Sequence, residues 1–346
     1  MLVIFICFGL FSIFFDTSIA VYCSPTKKMN SVPSFELGNG RKIPSIGFGT
    51  WMMTNSSAEE AVKTALSTGY RHIDTAHAYG NEEVIGKVLK EWISSGKISR
   101  NEIFVTTKLP PNGMNPGRVA TYLKRSLDAL QLEYIDMYLI HTPFGFTEVE
   151  GELFRTLDDG SVDIDVSTDL VEIWKAMEKQ YDLGLAKAIG ISNFNKSQIE
   201  RIIGHCRTIP HNLQTEHHIY LQQPELIEFC RKNNIVVTSY SSLGNRGLSA
   251  LGQDIPDILS NPTVLKMSKK YNKTPAQILL RHIHQKNIVV IPKSKNPERI
   301  RENFNIFDFQ LDPQDMKELN DLNRDLKLLN FELMFKGVKK HPEYPF

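Results

Sequence analysis

Four side chains in this sequence have the types that move protons: the carboxylate of Asp74, the phenol of Tyr79, the amine of Lys108 and the imidazole of His141. Asp74 ends the alternating run "YRHIDT" and Tyr79 follows it in "AHAYGNE"; Lys108 ends "EIFVTTK" and His141 ends "YIDMYLIH". Singly, each type has an ordinary structural use, as turn cap, amphipathic packer, solvated cation or structural ring. Together they suit carbonyl reduction. When a hydride reaches a carbonyl carbon, negative charge gathers on the oxygen, and a proton donor must stand close. A free phenol, with a pKa of about 10, donates poorly at neutral pH unless its anion is stabilised. The Lys108 ammonium is expected to lower the Tyr79 pKa, Asp74 to keep the lysine charged and oriented, and His141 to hydrogen-bond the carbonyl.

These residues can meet only if the elements carrying them share one end. Eight β-rich runs, "IGFGT", "YRHIDT", "EIFVTTK", "YIDMYLIH", "AKAIGIS", "NLQTE", "NIVVTSY" and "NIVVIPKS", are separated by helix-period segments such as "NEEVIGKVLKEWISSG" and "DLVEIWKAMEKQYDLG". A doubly wound sheet gives the same alternation but calls for a glycine-rich phosphate turn after its first strand, a spacing that "GNGRKIPSIGFG" lacks. The expected fold is therefore α/β, a closed (β/α)8 TIM barrel preceded by a β-hairpin in "SFELGNGRKIPSIGFG". Barrel chemistry sits at the C-terminal strand ends, where all four residues fall.

With 346 residues, 41% of them hydrophobic, the chain can bury a large core. Its formal charge of +1 gives no general attraction to nucleic acid or acidic lipid, so the expected partner is a small-molecule carbonyl substrate. The acidic run around Asp158, Asp159, Asp163 and Asp165 reads as a solvated loop. The histidines of "EHHIY" and "RHIHQ" lack a Cys or carboxylate at ligand spacing, so no metal is expected.

The apolar run "MLVIFICFGLFSIFF", followed by Ser18 and Ala20, has the pattern of a signal peptide over residues 1–23, with a linker at 24–34 and the barrel over 35–346. Secretion is the expectation, with no membrane attachment after removal of the signal, and a cytoplasmic location if the signal is not used. Cys206 and Cys230 in the body are too few for a disulfide scaffold. Secretion would expose the sequons at Asn55, Asn195 and Asn272 to glycosylation, and Asn195 is expected to stay bare because it lies beside candidate cofactor contacts.

The motifs "GYRHIDTAHAYGNE", "TTKL", "YLIHTP", "AIGISNFN", "LQTEHHIY", "SYSSLG" and "IPKSKNPERIREN" resemble, in order, the signatures of the aldo-keto reductases. The resemblance implies a monomeric NADPH-dependent oxidoreductase with Asp74, Tyr79, Lys108 and His141 as its catalytic tetrad and Tyr79 as proton donor. It implies that Ser192, Asn193 and Gln214 hydrogen-bond the nicotinamide carboxamide and that Tyr240 stacks on the ring. It places Lys293, Ser294 and Arg299 around a 2′-phosphate, with Glu302 and Asn303 near the adenine. The residues agree: two cations and a hydroxyl at the start of a helix make an anion site. Retention of His141, where members that reduce a steroid ring double bond have Glu, implies an alcohol product.

Trp51 matches a pocket aromatic of the family, but Thr142 stands where many aldehyde and sugar reductases have Trp, so a wider, less aromatic substrate pocket is expected around Trp51, His141 and Thr142. The tail "LLNFELMFKGVKKHPEYPF" takes the place of the family's C-terminal specificity loop, where Phe331, Met334 and Phe335 are placed to close over an apolar substrate. Its ending resembles that of insect members. Together with the signal, this makes the insect 3-dehydroecdysone 3β-reductases the most similar subgroup, which reduce a 3-keto ecdysteroid to ecdysone. A broad aldehyde, sugar or farnesal reductase and a secreted non-catalytic carrier are the alternatives, the latter because extracellular fluid is poor in NADPH.

Overall fold

Alternation decides which side chains enter the barrel, because successive strand residues point to opposite faces. A computed structural model describes residues 32–245, 247–248 and 255–346; the expected signal segment at 1–23 and most of the linker lie outside the described residues. A hairpin of β1 (Ser34–Glu36) and β2 (Lys42–Pro44) opens the fold. Then come β3 (Phe48–Gly49), α1 (Asn55–Thr68), β4 (His72–Asp74), α2 (Glu82–Ser94), β5 (Phe104–Leu109), α3 (Val119–Leu130), β6 (Met137–Ile140) and α4 (Leu170–Asp182). The second half runs β7 (Ile189–Ser192), α5 (Lys196–Ile203), β8 (Asn212–Glu216), α6 (Pro224–Lys232), β9 (Val236–Tyr240), α7 (Pro262–Tyr271), α8 (Pro275–His284), β10 (Val289–Val290) and α9 (Pro297–Phe304). Helices α10 (Pro313–Asn320) and α11 (Phe331–Met334) follow the barrel.

The strands β3 to β10 pair in parallel in chain order, forming an eight-stranded sheet. Backbone bonds close the seam between its first and last strands: Gly47 N–H donates to Val290 O at 2.8 Å, Val290 N–H to Ser45 O at 3.1 Å and Gly49 N–H to Pro292 O at 3.2 Å. A Cβ on Gly49 would stand 2.8 Å from Ile291 O, so the seam needs glycine there. This is the expected (β/α)8 barrel.

The side chains sort by parity. Val105, Leu109, Tyr138, Ile140, Ile189, Ile191, Leu213 and Val290 join the helices in the largest buried cluster. Their strand neighbours Phe104, Met137, Leu139, Ala188 and Val289 share a second cluster with Leu37 and Ile43 of the hairpin, which plugs the N-terminal end of the barrel. Continuing that inner parity upward, 72 leads to Asp74, 104 and 106 to Lys108, 137 and 139 to His141, 188 and 190 to Ser192, 212 to Gln214, and 236 and 238 to Tyr240. The apolar floor and the polar mouth are thus successive layers of the same inward-facing positions.

The alternation of eight strands with helices read from the sequence is present, and α7, α10 and α11 are additional elements; α7 and α10 lie on the barrel's outside. Helices α7 and α10 pack with α8 in a cluster of their own, around Val264, Met267, Ile278, Leu279, Leu311 and Leu319. Among the described residues, no helix is long and apolar enough to cross a membrane. Cys206 and Cys230 are free thiols.

Candidate active site

Lys108 is fully buried, and its ammonium finds every partner within the barrel mouth. Its Nζ donates to Asp74 Oδ1 at 2.7 Å, to Thr75 O at 2.8 Å and to the Tyr79 hydroxyl at 3.3 Å. The second Asp74 oxygen accepts from Gln214 Nε2 at 2.7 Å. Tyr79 sits in a 3-10 turn, His77–Tyr79, just beyond β4, and its ring meets that of His141 edge-on at a 5.6 Å centroid distance. The tetrad read from the sequence is brought together.

Its electrostatics differ from expectation in one sign. Burial of the Tyr79 phenol outweighs the Lys108 charge, so its pKa is raised above the ordinary value, not lowered. The phenol therefore keeps its proton at neutral pH, and the ammonium is placed to stabilise the phenolate that remains after the proton leaves. Burial also works against the charged Lys108, but the Asp74 carboxylate, the tyrosine and their hydrogen bonds together hold its pKa above the ordinary value. Burial first, and the Lys108 charge second, push His141 well down, leaving a neutral ring. A neutral imidazole can orient a carbonyl without competing with Tyr79 as acid.

These groups floor a cavity of about 870 Å³. Asp74, Tyr79 and His141 line it, as do Ser192, Asn193, Gln214 and Tyr240 on one wall, Lys293, Ser294, Arg299, Glu302 and Asn303 at one end, and Trp51 and Thr142 on the other side. Of the residues singled out in the sequence for chemistry or binding, Lys108 alone lies behind the wall. Three lining residues hold left-handed backbone without being glycine: Met52 (φ 58°), Asn193 (φ 66°) and Ser241 (φ 53°). Such backbone costs of order 1–3 kcal/mol each and persists where neighbours fix it. For Asn193 the neighbours are plain: its amide donates to His141 O at 2.9 Å and accepts from the Tyr240 hydroxyl at 2.6 Å.

The donor set fits a phosphorylated nicotinamide dinucleotide. A hydroxyl and two side-chain amides, Ser192, Asn193 and Gln214, match a carboxamide, and the Tyr240 ring offers a face for the nicotinamide. At the other end, Lys293 is held below its ordinary pKa by burial and then by the charges of Lys295 and Arg299. Lys293, Lys295 and Arg299, gathered on the cavity lining beside the Ser294 hydroxyl and the N-terminus of α9, form a site for a phosphate. The bound cofactor would supply the hydride; the protein holds its ends and the proton.

The aldo/keto reductase family pattern matches residues 45–324. This chain belongs to that family. As an aldo-keto reductase it is an NADPH-dependent oxidoreductase acting on carbonyls. It is 44% identical over 316 residues to aldo-keto reductase family 1 member A1 of Xenopus tropicalis, covering 90% of this chain and 96% of that one. It is 41% identical to prostaglandin F synthase 1 of Bos taurus, over 90% and 96% of the two chains. The aldose reductase of Schistosoma japonicum superposes with a TM-score of 0.83 at 40% identity, covering 91% of this reductase and 98% of the other chain.

The substrate side of this reductase is more aromatic than the Thr142 substitution suggested. Thr142 turns its hydroxyl to Phe144 O at 3.0 Å. Aromatic surface arrives instead from Phe146 and Phe154, on the long loop 141–169 after β6, and from Phe331 and Phe335 of the tail; all four line the cavity. Phe335 packs edge-on against both Phe146 and Phe154, at 5.1 and 5.3 Å. The loop residues went unread because an irregular loop carries no periodicity to point them inward. Nor did the sequence reveal the tether of the tail. The buried Glu216 carboxylate, at the end of β8, accepts from Leu328 N–H at 2.7 Å, Leu329 N–H at 3.1 Å and His218 Nε2 at 3.0 Å.

Proposed function

We propose that this aldo-keto reductase reduces a bulky, apolar ketone or aldehyde to an alcohol with NADPH, Tyr79 giving the proton and His141 orienting the carbonyl. The observation that carries this reading is the chain of contacts from Asp74 through Lys108 to the Tyr79 hydroxyl, on the floor of a cavity whose other walls are largely aromatic. A 3-keto ecdysteroid is the specific substrate we favour, supported by the apolar reach of Phe146, Phe154, Phe331 and Phe335. NADPH oxidation by the chain from Ser24 onward, with 3-dehydroecdysone, glyceraldehyde, farnesal and an aromatic aldehyde, tests it. Preference for the ecdysteroid supports the reading, turnover of glyceraldehyde alone removes the bulky substrate, and no turnover of any carbonyl turns the protein into a carrier.

The preference for NADPH over NADH rests on Lys293, Ser294 and Arg299. Losing one charged contact to a phosphate costs about 1.5–3 kcal/mol, so Arg299→Ala is expected to raise KM for NADPH by about tenfold or more, with KM for NADH nearly unchanged. Steady-state kinetics with the two cofactors check this; an equal rise in both would place the 2′-phosphate elsewhere.

We further propose that the enzyme is secreted, on the strength of the apolar N-terminal run, and acts as a monomer, as the family resemblance suggests. Asn195 then carries no glycan. Its Nδ2 donates to Pro345 O at 3.1 Å, while its Oδ1 accepts from Gln198 N–H at 3.0 Å and from the Ser197 hydroxyl at 2.8 Å. Glycopeptide mapping of protein secreted from cultured cells is expected to find residue 195 bare, and sugar there would contradict the packing of the tail on this amide.

A further inference from the structure

The last residues of the chain are held by a helix that does not reach the cavity. Helix α5 carries Gln198 and Arg201 on consecutive turns of one face, as residues three apart lie. The Arg201 guanidinium meets the Glu343 carboxylate at 2.6 Å, and Gln198 Nε2 donates to Glu343 O at 2.9 Å and to its Oε2 at 3.2 Å. Asn195, which caps the same helix, takes Pro345 O. From the other side, the Nδ1 of buried His341 accepts from Glu343 N–H at 3.0 Å.

The residues after Glu343 then return to the substrate wall. Phe346 lies parallel to Phe331, with 6.0 Å between centroids and 6° between planes. Tyr344 meets Phe346 edge-on at 5.8 Å and stacks on Phe144 at 6.3 Å. Phe331, a cavity residue, is therefore backed by Phe144 at 5.2 Å on one side and by the final residue of the chain on the other. Rings packed in series transmit displacement, because a close-packed cluster has few intermediate arrangements.

We propose that Gln198 and Arg201 are specificity-determining positioning residues: by latching Glu343 they press Tyr344 and Phe346 behind Phe331 and so fix the wall against which a bulky carbonyl substrate rests. The inference rests on the reductase reading above. A small aldehyde, which reaches Tyr79 and His141 without touching that wall, is indifferent to the latch. A bulky one binds more weakly when the latch opens, and the chemical step at Tyr79 is untouched in both cases. The effect is therefore carried by KM, not kcat.

Wild type, Arg201→Glu, Gln198→Glu and the charge swap Arg201→Glu/Glu343→Arg test this with farnesal and glyceraldehyde under NADPH. Gln198→Glu keeps the acceptor that receives Asn195 N–H in the helix cap, since Glu serves that position as well as Gln, but replaces the amide that reaches Glu343 by a like charge. Because a partly exposed ion pair is worth little by itself but repulsion adds to its loss, each single variant is expected to raise KM for farnesal by about three- to tenfold. The kcat for farnesal and kcat/KM for glyceraldehyde are expected to stay within about twofold, and the swap to recover most of the farnesal KM.

An unchanged farnesal KM overturns the latch. Equal losses with both carbonyls, unrepaired by the swap, overturn it too, since they mark a merely structural contact. Hydrogen exchange of peptides covering 328–346 gives a reading independent of turnover, with faster exchange in Arg201→Glu and recovery in the swap. Unchanged exchange sinks the latch even in a protein that reduces no carbonyl, whereas wild type that turns over neither these two carbonyls nor the ecdysteroid and aromatic aldehyde above sinks the reductase reading.

Discussion

Tyr79→Phe is expected to lower kcat for carbonyl reduction by about 10²–10⁴-fold, the range a positioned general acid contributes. The substitution removes one hydroxyl and keeps the ring that meets His141 edge-on and lies 4.9 Å from Lys108 Nζ. Lys108 retains Asp74 Oδ1 and Thr75 O, so no buried charge is stranded. NADPH affinity and the thermal midpoint should then stay near those of wild type, which separates loss of a proton donor from loss of a fold. Lys108→Met is the contrasting case. It leaves the Asp74 carboxylate buried with only Gln214 as a side-chain partner, and breaking a buried pair from one side typically costs about 3–5 kcal/mol of stability. Single-turnover reduction and thermal melts of both variants check the pair. Tyr79→Phe retaining more than about a tenth of wild-type kcat would remove Tyr79 as the principal acid. The pH profile adds a sign: the donor must hold its proton, and burial raises the phenol pKa, so activity should persist through neutrality and fall only on the alkaline side.

Much of this site was legible because two simple periodicities act together. Strand alternation puts Lys108 on the same face as Phe104 and Thr106, and His141 on that of Met137 and Leu139, so an apolar inner layer in the sequence predicts where a polar end residue points. The rule that barrel chemistry gathers at C-terminal strand ends then turns separate residues into one site. What escaped has no such period. Phe146 and Phe154 ride an irregular loop whose course is set by contacts with the tail, such as Phe335 against both rings. Glu216 obeys the inner parity of β8, yet its role depends on two backbone amides more than a hundred positions later in the chain. The sign of the Tyr79 shift escaped for another reason. Sequence can place an ammonium beside a phenol, but the balance between that charge and desolvation is fixed only when the cavity walls are in place.

Acid is expected to destabilise this barrel well above the range where carboxylates titrate. His72 and His282 are fully enclosed; burial holds the first at about 4, despite the nearby Asp74 charge, and the second at about 3. Each uses one ring nitrogen, Nε2, toward Thr106 Oγ1 or Asn320 Oδ1 at 2.9 Å; the Nδ1 of His282 is buried without a hydrogen-bond partner, and the backbone of Pro44 gives the His72 ring only partial support. A second proton on His282 would place an N–H where nothing accepts it, and on His72 burial outweighs the help of Pro44. In the unfolded chain the same rings protonate near pH 6.5, so below that value the unfolded state binds more protons and stability drains away. The loss is complete only when pH passes below the folded values; above about pH 6.5 the full stability is present. At pH 5 each ring costs about 2 kcal/mol, together about 4 kcal/mol, a large share of the 5–15 kcal/mol that a folded domain holds. His141, His211, His217 and His341 are displaced downward by burial as well and push in the same direction. Carboxylates held low by partners, such as Asp312 at about 2, do not blur the window, because they begin to cost stability only when the unfolded side chain titrates near pH 4. Urea denaturation at pH 7 and pH 5 is expected to show a markedly lower midpoint at pH 5 with little change in slope. His282→Gln, which cannot take up a proton, should close about half of the gap due to these two rings. Equal midpoints at the two pH values would mean that water or a rearranged partner satisfies the protonated rings inside the fold.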